Sequence, residues 1–104
     1  MNDYFWSLAQ RAAQAAADKG LTNINPRWIY AQWIHESNDF TSALAVDNHN
    51  LGGVTQSEPN DTPQPDGGNY YINFASYEDY ADYFGDSLEN YLADCQRIYD
   101  ENFA

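Results

Sequence analysis

The spacing of apolar residues along the chain is the feature that most constrains its fold. Three segments, at about 3–19, 26–38 and 76–100, carry apolar residues three and four positions apart. This repeat is typical of an α-helix that buries one face. Because the chain has only 104 residues, the pattern predicts a single domain over residues 1–104.

Residues with known preferences for helix ends support these boundaries. Gly20 is a candidate C-terminal cap of the first helix. Asn25 and Pro26 fit the cap and the first position of the second helix. Ser76 starts a segment close to a capping box, with Asp79 in place of the usual Glu. The sequence therefore predicts three main helices, the third being continuous to about residue 100.

The middle of the chain has a different composition. The stretch "LGGVTQSEPNDTPQPDGGNYYINF" holds four of the six glycines and three of the four prolines. Two short β-like pieces, near 53–57 and 69–74, flank a polar tip, which indicates a hairpin with a long loop. Residues 41–50 are expected to form a turn or a single helical turn. The predicted fold is mainly α (α+β), three main helices with a small β-hairpin lobe at about 52–74 over a cleft.

Charge limits the partners of this chain. Sixteen acidic and four basic side chains give a net charge of −12, which repels nucleic acid and anionic membranes. No apolar run approaches the roughly 20 residues of a membrane span, and the first residues lack the basic start of a signal peptide. We therefore expect no nucleic acid partner and no membrane insertion.

The cysteine and the three tryptophans are expected in the core. Cys95 lies on an apolar helical stripe, so we expect it in the core. Trp6, Trp28 and Trp33 are expected in the core as well.

Glu36 conflicts with its position in the second helix. It falls on the stripe formed by Ile29, Trp33 and Phe40, and it lies near the helix C-terminus. A core-facing position and the negative end of the helix dipole would both favour its protonated form. A carboxyl that keeps its proton near neutral pH suits a general acid. The alternative is a boundary residue whose carboxylate lies in solvent.

Three segments carry a family resemblance: "IYAQWIHESNDF", "NHNLGGV" and "YINFASYEDYADYF". Together they resemble the glucosaminidase domain family, the flagellar- and autolysin-type β-N-acetylglucosaminidases of the lysozyme-like superfamily. Its pattern is a helix ending in Q-x-A-x-E-S, an N-N-L-F-G-I turn, a β-lobe, and F-R-x-Y-x-S before a Tyr-rich helix. The matching positions are Gln32, Glu36, Ser37, Asn50, Leu51, Gly53, Val54, Phe74 and Ser76. The resemblance covers about residues 3–92, and Gly52 stands where the family has Phe.

The resemblance implies a lysozyme-like fold and a peptidoglycan hydrolase that cleaves β-1,4 glycosidic bonds at N-acetylglucosamine. Glu36 would be the general acid that protonates the glycosidic oxygen. A second carboxyl would come from the β-lobe, which offers Glu58, Asp61 and Asp66. Glu58 is the best candidate because it ends the first β-like piece. Two alternatives need only Glu36: the substrate's own N-acetyl group as nucleophile, or a lytic transglycosylase.

The candidate substrate-binding residues are Phe40, Asn50, Tyr70, Tyr71 and Tyr77. Tyr70 and Tyr71 are neighbours in a β-like piece and should point to opposite faces. Each of the three tyrosines could contact sugar or pack into the core. Asn50 could order the turn beneath the cleft or supply left-handed backbone.

No cofactor is expected, and no metal. His35 and His49 lack a ligand spacing, and the loop at 60–69 lacks the register of an EF-hand. The expected partner is the glycan strands of peptidoglycan. From the lack of a signal-peptide start, we expect a chain that is cytoplasmic, exported without a cleaved signal, or part of a larger chain or assembly. The resemblance favours an extracellular, cell-wall or phage virion-associated location.

A different class of function also fits the sequence. The strong acidic charge and the altered turn at Gly52 favour a catalytically inactive lysozyme-like module. Such a module would bind glycan or protein within a phage or secreted assembly.

Overall fold

A computed structural model describes residues 1–103 as a mainly helical domain with one small sheet. In chain order its elements are α1 (Asp3–Asp18), α2 (Pro26–Ser37), α3 (Ala43–Asn48), β1 (Thr55–Gln56), β2 (Tyr70–Tyr71), α4 (Tyr77–Asp86), a 3₁₀ turn (Leu88–Asn90) and α5 (Leu92–Asn102). The two strands form an antiparallel sheet in which Thr55 pairs with Tyr71. The predicted fold class, mainly α with a small β-lobe and consistent with a lysozyme-like fold, is confirmed.

The predicted starts of the helices are confirmed by their capping hydrogen bonds. The backbone N–H of Arg27 donates to the Asn25 side chain at 3.0 Å, and that of Asp79 donates to the Ser76 hydroxyl at 3.0 Å. Each bond satisfies one N–H that has no partner inside its helix. The segment at 41–50, expected to be a turn or one helical turn, contains α3.

The prediction of one continuous third helix is wrong. The chain leaves the helix after Asp86, forms a 3₁₀ turn, and starts α5 at Leu92. A straight helix over 76–100 would measure about 37 Å at 1.5 Å per residue, whereas the longest dimension of the molecule is 36 Å. The break lets α4 pack against α1 while α5 packs against α2. Apolar residues keep helical spacing on both sides of the break, so periodicity could not reveal it.

An aromatic cluster joins α2 to α4 in the core. The rings of Trp33 and Tyr80 lie 5.3 Å apart between centroids, and those of Trp33 and Phe84 lie 5.6 Å apart. All three side chains are fully buried. Aromatic pairs of this kind contribute about 0.5–1.5 kcal/mol beyond the area they bury. Because these contacts hold α2 against α4, they fix the position at which α2 ends.

Two of the four residues expected in the core are fully buried. Trp33 and Cys95 are buried, as predicted. Trp6 and Trp28 are only partly buried and pack against the edge of the core. No helix within residues 1–103 is both long and apolar enough to cross a membrane.

Helices α1 and α4 approach each other closely at Gly85 of α4. A Cβ atom there would lie 2.3 Å from the Ala12 carbonyl oxygen and 2.7 Å from the Ala15 Cβ. The first neighbour is backbone and cannot rotate away. Glycine is therefore required at residue 85 for α4 to lie directly on α1.

We expect Gly85→Ala to destabilise the domain, although alanine favours a helix. Overpacking of this kind costs about 1–3 kcal/mol, which would lower the melting temperature by roughly 10 °C in a domain of this size. Thermal unfolding followed by circular dichroism measures the effect. Asp86→Ala, at the exposed neighbouring position, is the control and should change the melting temperature little. Equal stability of wild type and Gly85→Ala would contradict the described packing.

Candidate active site

Glu36 lies in the last turn of α2, at the end of a buried stripe. Ile29, Gln32 and Trp33, which precede it on the same side of the helix, are buried, whereas Glu36 itself is exposed. The expectation of a core-facing Glu36 is therefore wrong, and the alternative of a boundary carboxylate in solvent describes it. Its carboxylate is accessible to a ligand while the turn beneath it is held by the core.

The backbone directly after Glu36 is unusual. Asn38, Asp39 and Phe40 have φ angles of 52°, 56° and 65°, a left-handed conformation that is costly for residues other than glycine. Ser37 stabilises this turn, because its buried hydroxyl accepts a hydrogen bond from the Phe40 N–H at 2.7 Å. Backbone outliers of this kind cluster at functional sites. Sequence matching included Ser37 but assigned it no role.

Asn50 fastens the turn between α3 and the β-lobe. Its side-chain amide donates to the carbonyl oxygens of Val54 and Ile72 at 2.9 and 3.1 Å, and its side-chain oxygen accepts from the Val54 N–H at 3.0 Å. The left-handed residues of this turn are His49 and Gly53. Of the two structural roles considered for Asn50, ordering the turn is therefore the one observed. A contact between Asn50 and substrate stays a prediction.

Buried polar atoms to which the sequence analysis assigned no role lie under the same turn. A Cβ atom at Gly52 would lie 2.5 Å from the Tyr80 hydroxyl and 3.6 Å from Gln32 Oε1. Both oxygens and the Trp33 indole N–H are buried, and the Trp33 indole is the hydrogen-bonding neighbour of the Tyr80 hydroxyl. The available signal was Gln32, a polar residue on the buried stripe one turn before Glu36.

The β-lobe places its two tyrosines differently. The ring of Tyr71 lies over Gly53, 4.0 Å from the position of a Cβ there, so it extends from β2 towards the turn that Asn50 fastens. Tyr70 is the strand neighbour of Tyr71, so its side chain is expected to point to the opposite face of the sheet. Its backbone pairs with that of Gln56. Both rings are half-buried. Tyr71 is thus the candidate aromatic residue placed next to the turn that Asn50 fastens.

The acidic residues of the β-lobe differ in their exposure and hydrogen bonds. Glu58 is exposed and follows β1 by two residues. The Asp61 carboxylate accepts hydrogen bonds from Asn73 Nδ2 at 2.9 Å and Thr62 Oγ1 at 3.1 Å. These bonds, that of Asn73 first, lower the pKa of Asp61 below its ordinary value. Asp61 is therefore engaged in the lobe, whereas the predicted second carboxyl, Glu58, is accessible.

Phe40 and Tyr77 make packing contacts away from the lobe. The Phe40 ring stacks on Phe5 at a centroid distance of 4.0 Å. The Tyr77 ring meets Phe5 edge-on at 5.1 Å, and its hydroxyl donates to the Ala45 carbonyl at 3.0 Å. Both side chains belong to the junction of α1 with its neighbours. The structure does not bring them together with Tyr71, and their role as sugar contacts stays a prediction.

A groove lies on the other side of α2. It has a volume of about 850 Å³ and is lined by residues that include Phe5, Arg27, Tyr30, Ile34, Phe40 and Tyr99. Glu36 follows Ile34 by two residues and is therefore rotated by about 200° from that face of α2. This groove and the exposed end of the buried stripe are separate surfaces. Groove size alone would have directed attention away from Glu36.

Metal ligands do not cluster in the part of the chain that the structure describes. Among residues 1–103, no group of three or more His, Cys, Asp or Glu side chains could hold a metal ion. The His49 ring is engaged instead with the Phe74 carbonyl oxygen, 2.8 Å from Nδ1.

The chain combines a helical domain, an exposed carboxylate at the end of α2 and a small β-lobe, which is consistent with a lysozyme-like fold. Residues 10–104 match the model of the Glucosaminidase family, described as mannosyl-glycoprotein endo-beta-N-acetylglucosaminidase. Since the match covers most of the chain, the chain belongs to this family. No curated protein and no solved structure gave a significant match. Membership in this family indicates a glycoside hydrolase domain and suggests peptidoglycan hydrolase activity in general.

We expect Asn50→Ala to loosen the β-lobe. The change leaves the buried Val54 N–H without its partner and removes one of the two hydrogen bonds to the Val54 carbonyl, the other coming from the Ile72 N–H. An unpaired buried group costs about 1–3 kcal/mol. Limited proteolysis should then cut the 52–74 segment faster, and thermal unfolding should begin at lower temperature. Asn69→Ala, in the exposed tip of the lobe, is the control. Unchanged proteolysis of Asn50→Ala would show that these hydrogen bonds do not hold the turn.

Proposed function

We propose that this domain hydrolyses β-1,4 glycosidic bonds at N-acetylglucosamine in peptidoglycan, with Glu36 as the general acid. The family match supports the class of reaction. The observation that carries the residue assignment is the position of Glu36, an exposed carboxylate on an otherwise buried stripe of α2. Held in this way, a carboxyl can reach a substrate without a change in the backbone around it.

In the proposed reaction, the protonated Glu36 carboxyl gives its proton to the oxygen of the scissile bond. The bond to the sugar carbon breaks as positive charge develops on the ring, giving an oxocarbenium-like transition state. A lobe carboxylate, for which Glu58 is our candidate, or the N-acetyl group of the substrate stabilises that charge. Water then completes hydrolysis. Tyr71 supplies an apolar face to a sugar ring beside the turn at Gly53.

The partner in this proposal is the glycan strand of peptidoglycan, outside the cell or on a phage virion, with the domain acting alone or within a larger assembly. The net charge of −12 opposes close approach to an anionic wall. We therefore expect activity to rise with moderate ionic strength, because salt screens this repulsion.

Glu36→Gln should abolish most activity while leaving the fold intact. The amide cannot donate a proton with the acidity of a carboxyl, and general acid catalysis contributes about 10²–10⁴-fold. Purified peptidoglycan is digested with each protein, and the products are analysed by mass spectrometry. The control is Glu89→Gln, a change of the same kind at an exposed residue of the 3₁₀ turn. We expect reducing N-acetylglucosamine ends from wild type and the control, and few from Glu36→Gln.

Other products would change the proposal in defined ways. Anhydro-sugar ends that depend on Glu36 would replace hydrolysis by lytic transglycosylation. Near-normal digestion by a folded Glu36→Gln protein would refute the assignment of the acid. If folded wild type produced no fragments but bound glycan, the inactive binding module would describe the domain.

The second carboxyl is tested by comparing Glu58→Gln with Asp61→Asn. If Glu58 stabilises the developing charge, Glu58→Gln should lower kcat by at least about tenfold with little effect on stability. Asp61→Asn weakens the bonds to Asn73 and Thr62 and should chiefly loosen the lobe. Azide in the assay helps to separate the mechanisms, because a small anion can replace a missing carboxylate nucleophile or base. Full activity of Glu58→Gln would leave the N-acetyl group as the stabilising group.

A further inference from the structure

We propose that the groove along α2 is a docking site for a basic amphipathic helix of a partner protein. This groove of about 850 Å³ lies between the start of α1 and the end of α5. It is separate from the surface that carries Glu36. Helix binding at the groove requires neither glycan nor catalysis, so it is independent of the proposed function.

Helix α2 is buried on almost every side. Residues 29–33 are buried at five consecutive positions, and at about 100° per residue five consecutive side chains point all round a helix. A surface helix would instead carry one apolar stripe and a polar face. Helices α1 and α5 both pack on α2 and cover part of it. The groove is the part of α2 that they leave open.

The floor of the groove is a second stripe of α2. Tyr30, Ala31 and Ile34 line it with the spacing of one helical face, and aromatic side chains from both neighbouring helices form its walls. Phe103, at the end of α5, leaves 47% of its surface exposed there. Contiguous apolar surface with a charged rim is typical of a protein interaction site. The floor and walls therefore suit the apolar face of another helix.

Opposite charges at the two ends of the groove define what the partner helix carries. Arg27 lies in the first turn of α2, and Asp39 follows its last turn. The ion pairs within residues 1–103 are formed by Arg11 and Arg97, so neither charge of the groove is in an ion pair. The partner helix therefore places an acidic residue near Arg27 and a basic residue near Asp39.

The length of the groove favours a helix over other ligands. The 12 residues from Arg27 to Asp39 correspond to about 18 Å along a helix, which is more than three helical turns and too long for a small metabolite. An extended peptide would place unpaired backbone N–H and C=O groups against aromatic rings, because none of the lining residues belongs to β1 or β2. A helix satisfies these groups internally and inserts only side chains.

Net charge favours a basic partner over a second copy of this chain. The charge of −12 makes two copies repel each other and attracts a helix with an excess of lysine or arginine. The acidic residue that faces Arg27 is then the exception in an otherwise basic helix. This combination gives the partner a recognisable pattern of charge.

The test measures binding of two synthetic helical peptides, each about 14 residues long, to the whole domain by NMR titration. Both peptides have leucines three and four positions apart and an excess of lysine. The first peptide has glutamates in its first turn, and the second has lysines there. We expect micromolar binding of the first peptide, with shifts of the backbone signals of Tyr30, Ile34 and Tyr99, which line the groove.

Two charge variants isolate the contact at Arg27. Arg27→Glu and Lys19→Glu change the net charge equally, and Lys19 lies at the end of α1, outside the groove. Arg27→Glu should shift the ratio of the two affinities about fivefold towards the second peptide, whereas Lys19→Glu should leave this ratio near its wild-type value. Because both variants alter the long-range field alike, the difference between them measures the local pair.

Phe103→Ser tests the apolar contact at a half-exposed residue, without opening the core. Its control is Val46→Ser, at an apolar residue of α3 that is 57% exposed and outside the groove. We expect Phe103→Ser to weaken binding of the first peptide about tenfold and Val46→Ser to leave it unchanged. Circular dichroism establishes that each variant is folded.

Four results would overturn the inference. The first is the absence of binding of the first peptide to wild type, and the second is an equal affinity ratio in Arg27→Glu and Lys19→Glu. The third is a wild-type dimer in sedimentation that Phe103→Ser dissociates, which would assign the groove to a second copy. The fourth is displacement of the peptide by a peptidoglycan glycan fragment, which would assign the groove to sugar.

Discussion

The packing of Trp33 against Tyr80 and Phe84 is the interaction on which the rest of the site depends. These rings hold α2 to α4, and α4 in turn lies on α1 through the close contact at Gly85. Because α2 is held by this packing, its C-terminal end has a defined position, and Glu36 is exposed there. A loose core would let the carboxylate move by more than the roughly 0.5 Å that catalytic geometry tolerates.

The two sides of α2 divide the molecule into separate surfaces. One side carries the buried stripe that ends in Glu36 and meets the turn fastened by Asn50. The other side lines the large aromatic groove together with Phe40. The first side is better suited to catalysis, because an accessible carboxyl group is attached there to a helix held by the core. The size of a concavity and the presence of reacting groups are independent properties here.

Much of the fold followed from local signals in the sequence. Capping by Asn25 and Ser76 depends on neighbouring residues only, and both caps were predicted correctly. The break after Asp86 allows α4 and α5 to pack on different helices. It was not predicted, because the apolar residues keep helical spacing on both sides of it. Long-range packing of this kind is not encoded in a short window of sequence.

The candidate site could be predicted only in part, for a similar reason. Glu36 was found from its conflict with the stripe, yet its exposure depends on where the helix ends in the fold. Phe40 was expected near substrate, but its stacking on Phe5 requires α1 to lie beside the end of α2. The polar cluster around Tyr80 joins α2, α4 and the turn at Gly52, and three segments so far apart in sequence give no common pattern.

The most direct test of this account is a crystal structure of the Glu36→Gln protein with a peptidoglycan glycan fragment bound. The account predicts that the fragment lies between the end of α2 and the β-lobe, with a glycosidic oxygen within about 3 Å of the new side-chain amide. A fragment bound in the groove lined by Tyr30 and Ile34, on the opposite side of α2, would contradict it.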